Sequence, residues 1–112
     1  MILAEFKQNQ TQQIKSVKIT GHAESADPGQ DIVCAAVSSL VISTLNYLIS
    51  LEILDEEQVT ANETAGGYIS AQFSKHLVPE SVIKQETMLE YLYFGLGQIA
   101  EQYPDYITVI VK

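Results

Sequence analysis

Two residues in this chain pair a nucleophile with a base at a workable spacing. His22 sits in Gly21-His22-Ala23, and Cys34 sits in Gly29-Gln30-Asp31-Ile32-Val33-Cys34-Ala35-Ala36-Val37-Ser38. A thiol becomes a strong nucleophile as its thiolate, which a neighbouring base or a helix N-terminus favours. A helix capped at Gln30 or Asp31 puts Cys34 in the first turn, where the dipole and the unpaired N–H groups favour negative charge. The same N–H groups suit an oxyanion formed in acyl transfer. His22 lies twelve residues earlier, at a strand end. Across a turn it could reach the sulfur, take its proton and return it to a leaving amine.

The neighbours divide between structure and chemistry. Asp31 reads as an N-cap, or as a carboxylate that orients His22 in the manner of a triad. Its charge opposes a thiolate unless His22 is cationic. Ser38 is one turn beyond Cys34 on the same helix face. It either packs and bonds its own backbone or donates a hydrogen bond to the site. Gly21 and Gly29 bracket a polar loop, as turn formers or as hinges of a lid. Plainer readings stand beside these. A lone cysteine on an apolar helix is commonly a small buried hydrophobe, and a histidine at a strand end is commonly surface. A redox-sensing thiol is a further reading, but it needs a resolving cysteine from another molecule. His76 has no cysteine or carboxylate pattern around it and reads as surface. The tyrosines at 91, 93, 103 and 106 read as core or interface aromatics.

These residues must be carried by a small fold. The 112 residues suit one domain, 1–112, with 46% apolar content and one cysteine. No intrachain disulfide can form, and Cys34, His22 and His76 are too few for a structural zinc site. Neither a metal nor another cofactor is implied. Six lysines, no arginine and fourteen acids give a net charge of −8. That balance argues against binding nucleic acid or an anionic membrane, and it suits a basic protein or peptide partner. The N-terminal Met1-Ile2-Leu3-Ala4-Glu5 lacks a signal peptide's basic start and long apolar run, so the cytoplasm is the expected compartment.

Alternation predicts strands over 2–7 and 14–20, with the polar tract Gln8 to Gln13 as their loop. Asp27-Pro28-Gly29 is a turn signal, and a long helix is expected from about Asp31. Residues 32–51 are apolar at 14 of 20 positions and uncharged. Asp31 and Glu52 flank the run without a basic anchor, and Ser39, Ser43, Asn46 and Ser50 make one polar stripe. A helix buried on most sides is expected, under a sheet and against a second helix or subunit. A bend near Leu54 to Gln58 leads to a second hairpin, 59–62 and 68–73, around Ala65-Gly66-Gly67. Pro79 opens a second helix whose Leu89, Leu92, Leu96, Ile99 and Tyr103 step by three and four, and Pro104 stops it. Gly95 and Gly97 interrupt that stripe, which suggests close contact with another backbone. Tyr106 to Val111 is a last strand. The order β-β-α-β-β-α-β predicts an α+β two-layer sandwich, a mostly antiparallel sheet with two helices on one face.

Gly21-His22-Ala23 with Gly29 and Asp31-Ile32-Val33-Cys34-Ala35-Ala36-Val37-Ser38 resembles the ribosomal-processing cysteine protease family, Prp (YsxB-like). The ending, with Gly97, Ile99-Ala100 and Tyr103-Pro104-Asp105-Tyr106-Ile107, is similar too, so the resemblance spans the chain. It implies a Cys34–His22 catalytic dyad and a homodimer with a mobile loop over the site, mapping onto residues 23 to 30. It implies as substrate a large-subunit ribosomal protein, number twenty-seven in the bacterial series. A short N-terminal extension ending in an apolar and aromatic stretch is removed from it. The alternative is a non-enzymatic module that binds the same ribosomal protein during ribosome assembly.

Overall fold

The computed structural model describes residues 1–21, 28–62 and 67–112, and side chains for all of these except 28–31. The elements follow the order β1 (Ile2–Gln8), β2 (Ile14–Thr20), α1 (Pro28–Ser50), β3 (Val59–Asn62), β4 (Tyr68–Gln72), α2 (Pro79–Gln102) and β5 (Ile107–Val111). The strands form one sheet in the order β3-β4-β2-β1-β5. Every neighbouring pair is antiparallel except β1 with β5, which runs parallel in the register Ile2↔Ile107 to Phe6↔Val111.

That order explains the two layers. α1 leads from β2 to the parallel strand β3, and α2 leads from β4 to the parallel strand β5. The two crossovers move in opposite directions along the sheet from strands of opposite sense. Right-handed connections therefore set both helices on one face. The core lies there: Ile2, Ala4 and Phe6 of β1, Val17 and Ile19 of β2 and Ala71 of β4 are buried with Val33, Val37, Val41, Leu45 and Leu48 of α1 and Leu89, Leu92 and Leu96 of α2. On the other face Glu5 stands opposite Lys18, with Lys18 Nζ 3.7 Å and Lys112 Nζ 3.8 Å from its carboxylate.

Local chemistry sets the ends. Pro79 occupies the start of α2, where its fixed φ suits the helix and its missing N–H costs nothing. α1 ends without a glycine. Glu52 adopts φ +60°, its N–H bonds the Ile49 carbonyl at 2.9 Å, and Ile53 N–H bonds the Leu48 carbonyl at 3.0 Å. This is a Schellman end, with Leu48 and Ile53 both buried in the core. Lys75 Nζ donates to the Glu52 carbonyl at 2.9 Å and to Asp55 Oδ1 at 3.0 Å, tying that end to the segment after β4.

Two expectations need correction. α1 begins at Pro28, three residues before Asp31, because proline is well placed at a first helical position. Within the single chain α1 is not buried on most sides. Ile32 is 59%, Ile42 46% and Tyr47 52% exposed, since a helix lying on one sheet and beside one helix has only part of its girth covered. The stretch Ile32–Ser50 is, by length and composition, apolar enough to cross a membrane, and in this fold one stripe of it is core.

The glycines of α2 differ from each other. A β-carbon on Gly95 would meet Leu40 Cδ2 of α1 at 2.7 Å, so the close approach is to a side chain. A β-carbon on Gly97 would meet nothing within 4 Å among the described residues of the single chain. Gly21 is the tightest. Its φ is +92°, and a β-carbon would overlap the carbonyl oxygen of Met1. Gly97→Ala should therefore raise stability by about 1 kcal/mol through helix propensity alone, seen by calorimetry as a higher Tm. Gly95→Ala should gain less, because Leu40 must move. Gly21→Ala should lose about 2 kcal/mol or more through backbone strain and overlap, seen as a lower Tm in the same experiment.

Candidate functional site

The carboxyl end of β2, the start of β1, the start of β4 and the end of β3 all lie at one edge of the sheet, because β2 and β3 run opposite to β1 and β4. The register confirms it: Thr20 pairs with Leu3 and with Tyr68, and Tyr68 pairs with Asn62. Chain leaving β2 enters α1 at this edge. Loop-bearing edges of this kind are where reactive side chains can face substrate without disturbing the core.

Cys34 is half-buried on α1 and is the free thiol of the chain. It packs partly against the core and lines a cavity of about 560 Å³ between α1 and the sheet. Gly21 and Ser38 line the same cavity. Three of the residues singled out by sequence are thus brought together: the thiol, the serine one turn on, and the glycine that precedes His22. Gly29 and Asp31 lie in the first turn of α1, within helical backbone. His22, and with it most of the 23–30 loop read as a lid, lies outside the described residues. Among the described residues no group of three or more His, Cys, Asp or Glu side chains could hold a metal ion. His76 is exposed. Tyr91 and Tyr93 are also exposed, while Tyr103 and Tyr106 pack against the core.

The position of Cys34 along α1 differs from the first-turn expectation. In a helix that starts at Pro28, Cys34 is the seventh residue and falls in the second turn. Its N–H then faces the carbonyl of Gln30 in the helical ladder. The field of the helix N-terminus falls off within the first turn. A base adjacent to the sulfur therefore matters more for thiol activation than the dipole does.

The cavity walls were not singled out from the sequence. Ile42, Asn46 and Ile49 continue the Cys34–Ser38 face of α1, and Val59, Tyr68 and Ile69 form the wall opposite. The available signal was the excess of apolar residues on α1 over what one buried stripe requires. That excess was read as burial against protein, whereas part of it faces an open groove.

The family model described as cysteine protease Prp matches residues 1–108. A Bacillus subtilis protein named ribosomal processing cysteine protease Prp is 34% identical over 109 residues, covering 97% of this chain and 96% of its own length. A crystal structure of a Streptococcus mutans protein superposes with a TM-score of 0.83 at 32% identity, covering 99% of this chain and 93% of the other. The ribosomal processing protease Prp of Staphylococcus aureus, solved in complex with a substrate peptide, superposes with a TM-score of 0.78 at 25% identity over the whole of both chains.

Proposed function

The chain belongs to the cysteine protease Prp family, and we propose that it removes the N-terminal extension of a large-subunit ribosomal protein, number twenty-seven in the bacterial series, with a Cys34–His22 dyad. The observation that carries this reading is the placement of Cys34. The thiol is half-buried at the end of an apolar groove, beside the glycine that delivers the chain to His22. The names of the relatives, with the substrate peptide held by the Staphylococcus aureus protein, support ribosomal processing as the task.

The chemistry balances without a cofactor. His22 takes the proton from Cys34, and the sulfur attacks the scissile carbonyl to give a tetrahedral oxyanion. Collapse of that species breaks the C–N bond, and His22 gives its proton to the departing amine. Water, deprotonated by His22, then cleaves the thioester and frees the acid product and the thiol. Asp31 and Ser38 act as supporting residues, the first on His22 and the second beside the sulfur. Gly29 and Gly21 bound the segment that closes over substrate. The enzyme works as a homodimer in the cytoplasm. Its net charge of −8 draws it to the basic ribosomal protein, not to ribosomal RNA or a membrane.

Cys34→Ala and Cys34→Ser should fold as the parent does and release no product from the extended ribosomal protein. His22→Ala should cleave at least about a hundredfold more slowly. Mass analysis of both fragments, with circular dichroism on the variants, measures this. Cleavage by Cys34→Ala at the parent rate would end the reading.

A further inference from the structure

A second cavity, of about 600 Å³, opens between the β1–β2 hairpin and α2, at the end of the sheet opposite Gly21. β1 joins the two ends. Ile2 lines the cavity beside Cys34, while Phe6 and Gln8 line the second one. Six residues of strand at about 3.3 Å each put roughly 20 Å between them. A group held in the second cavity is therefore remote from the sulfur. Its walls are held in place from behind. Phe6 is fully buried, and Tyr93 of α2 meets it at 85° with ring centroids 5.2 Å apart. Tyr93 is 42% exposed, so part of its ring stays open. In the hairpin, Asn9 Oδ1 accepts from the Thr11 N–H at 3.0 Å and from the Gln13 N–H at 2.9 Å. Gln13 Nε2 in turn donates to Glu86 Oε1, which fastens the loop to α2. Glu86, Glu90 and Tyr93 follow one another by four and three, and so share one face of α2. Both carboxylates line the cavity, and none of the six lysines does. Lys112 follows the lining residue Val111, but its ammonium lies 3.8 Å from Glu5 on the outer face of the sheet. Like charges one turn apart repel, and a cation between them relieves the repulsion. An open aromatic ring beside them attracts the same kind of ion.

We propose that this cavity is an exosite for basic side chains of the substrate: a lysine or arginine from outside the cleaved segment places its ammonium or guanidinium between Glu86 and Glu90 and against the Tyr93 ring. The proposal rests on the reading of the chain as the processing enzyme of a basic ribosomal protein. Carboxylates, an aromatic ring and the amide oxygens of a glutamine-rich loop all favour a cationic donor, and they disfavour a phosphate or a carboxylate. The occupant is a side chain of the substrate because it is tethered. Once the segment to be cut lies at Cys34, the rest of the ribosomal protein is confined nearby, and its basic groups reach the cavity at a raised effective concentration. Contact some 20 Å from the scissile bond is the same in the ground state and in the transition state, so it lowers KM and leaves the chemical step alone. The site then gives the enzyme a means of preferring the whole ribosomal protein over a peptide with the same cleavage segment.

The test compares two substrates, the whole extended ribosomal protein and a synthetic peptide bearing only its cleavage segment. The double variant Glu86→Gln, Glu90→Gln keeps side-chain shape and an oxygen for Gln13 to donate to. Its kcat/KM on the whole protein should fall by about tenfold or more, through KM, and on the peptide it should match the parent. The double variant Glu56→Gln, Glu57→Gln removes the same charge from the short helical turn before β3, and it should match the parent on both substrates. Tyr93→Leu should share the loss on the whole protein, and Tyr93→Phe should restore it. Fluorescence anisotropy of the labelled whole protein, with each variant placed in Cys34→Ala, reads the same loss as Kd independently of cleavage. A preference for the whole protein that survives in the Glu86, Glu90 variant, or an equal loss in the Glu56, Glu57 variant, overturns the exosite. A parent chain that binds the whole protein without cutting it overturns the protease reading instead, and the anisotropy still decides the exosite. One that neither binds nor cuts it overturns both.

Discussion

The contact between the Gly21 backbone and the start of β1 is the constraint on which the reactive edge depends. β2 must leave the sheet where β1 begins, and Gly21 does so at φ +92° with no room for a β-carbon beside the Met1 carbonyl. The same corner is pinned from the other side, where the Ile2 N–H bonds the Tyr106 carbonyl at 2.8 Å and β5 begins. Three strands therefore fix the point from which the chain departs toward His22 and α1. A side chain at Gly21 would have to displace backbone, and backbone in a hydrogen-bonded sheet moves only by breaking the ladder. The glycine is explained by this packing.

α1 answers to three surfaces at once. Val33, Val37, Val41, Leu45 and Leu48 seal it to the core, and Leu40 fits against Gly95 of α2. The Cys34–Ile49 face borders the groove. A helix with a single buried stripe carries polar residues elsewhere, but here apolar residues occur on all three, which is why the run is apolar enough in composition to pass for a membrane span. Ser39, Ser43 and Ser50 are exposed on what is left for water. Cys34 is thereby mounted on a helix packed into the core rather than on a loop.

Charge and apolarity are divided between different jobs. The excess of acids over lysines gives a net charge of −8, a field that suits a basic partner at long range. The groove beside Cys34 is lined by no charged residue among the described residues. On the outer sheet face Glu5 is shared by Lys18 and Lys112, which uses two of the six lysines to hold strands. Pairs of this sort, with the lysine ends in water, contribute on the order of 1 kcal/mol or less.

Much of the molecule was legible from residue pattern because period and punctuation are local properties. Alternation at Ile2, Ala4 and Phe6 marked β1, Pro79 and Pro104 bounded α2, and Leu89, Leu92 and Leu96 named its buried face. The motifs around His22 and Cys34 carry the resemblance to the family in residue type and spacing alone. What pattern could not show was set by how elements meet. Asp31 reads as a cap by its type, but the helix starts at Pro28, so Cys34 moves to the second turn. Gly95 and Gly97 look alike in sequence and differ only in whether Leu40 stands opposite. Composition announced that α1 had apolar surface to spare. Only the sheet order, which carries β3 and β4 out beyond the cover of the helices, determined that the spare surface lines an open groove ending at the thiol. The sequence alone determined the elements and the reactive residue types, since these follow from neighbours in the chain. The groove came from tertiary structure, since it exists only between surfaces brought together from distant parts of the chain.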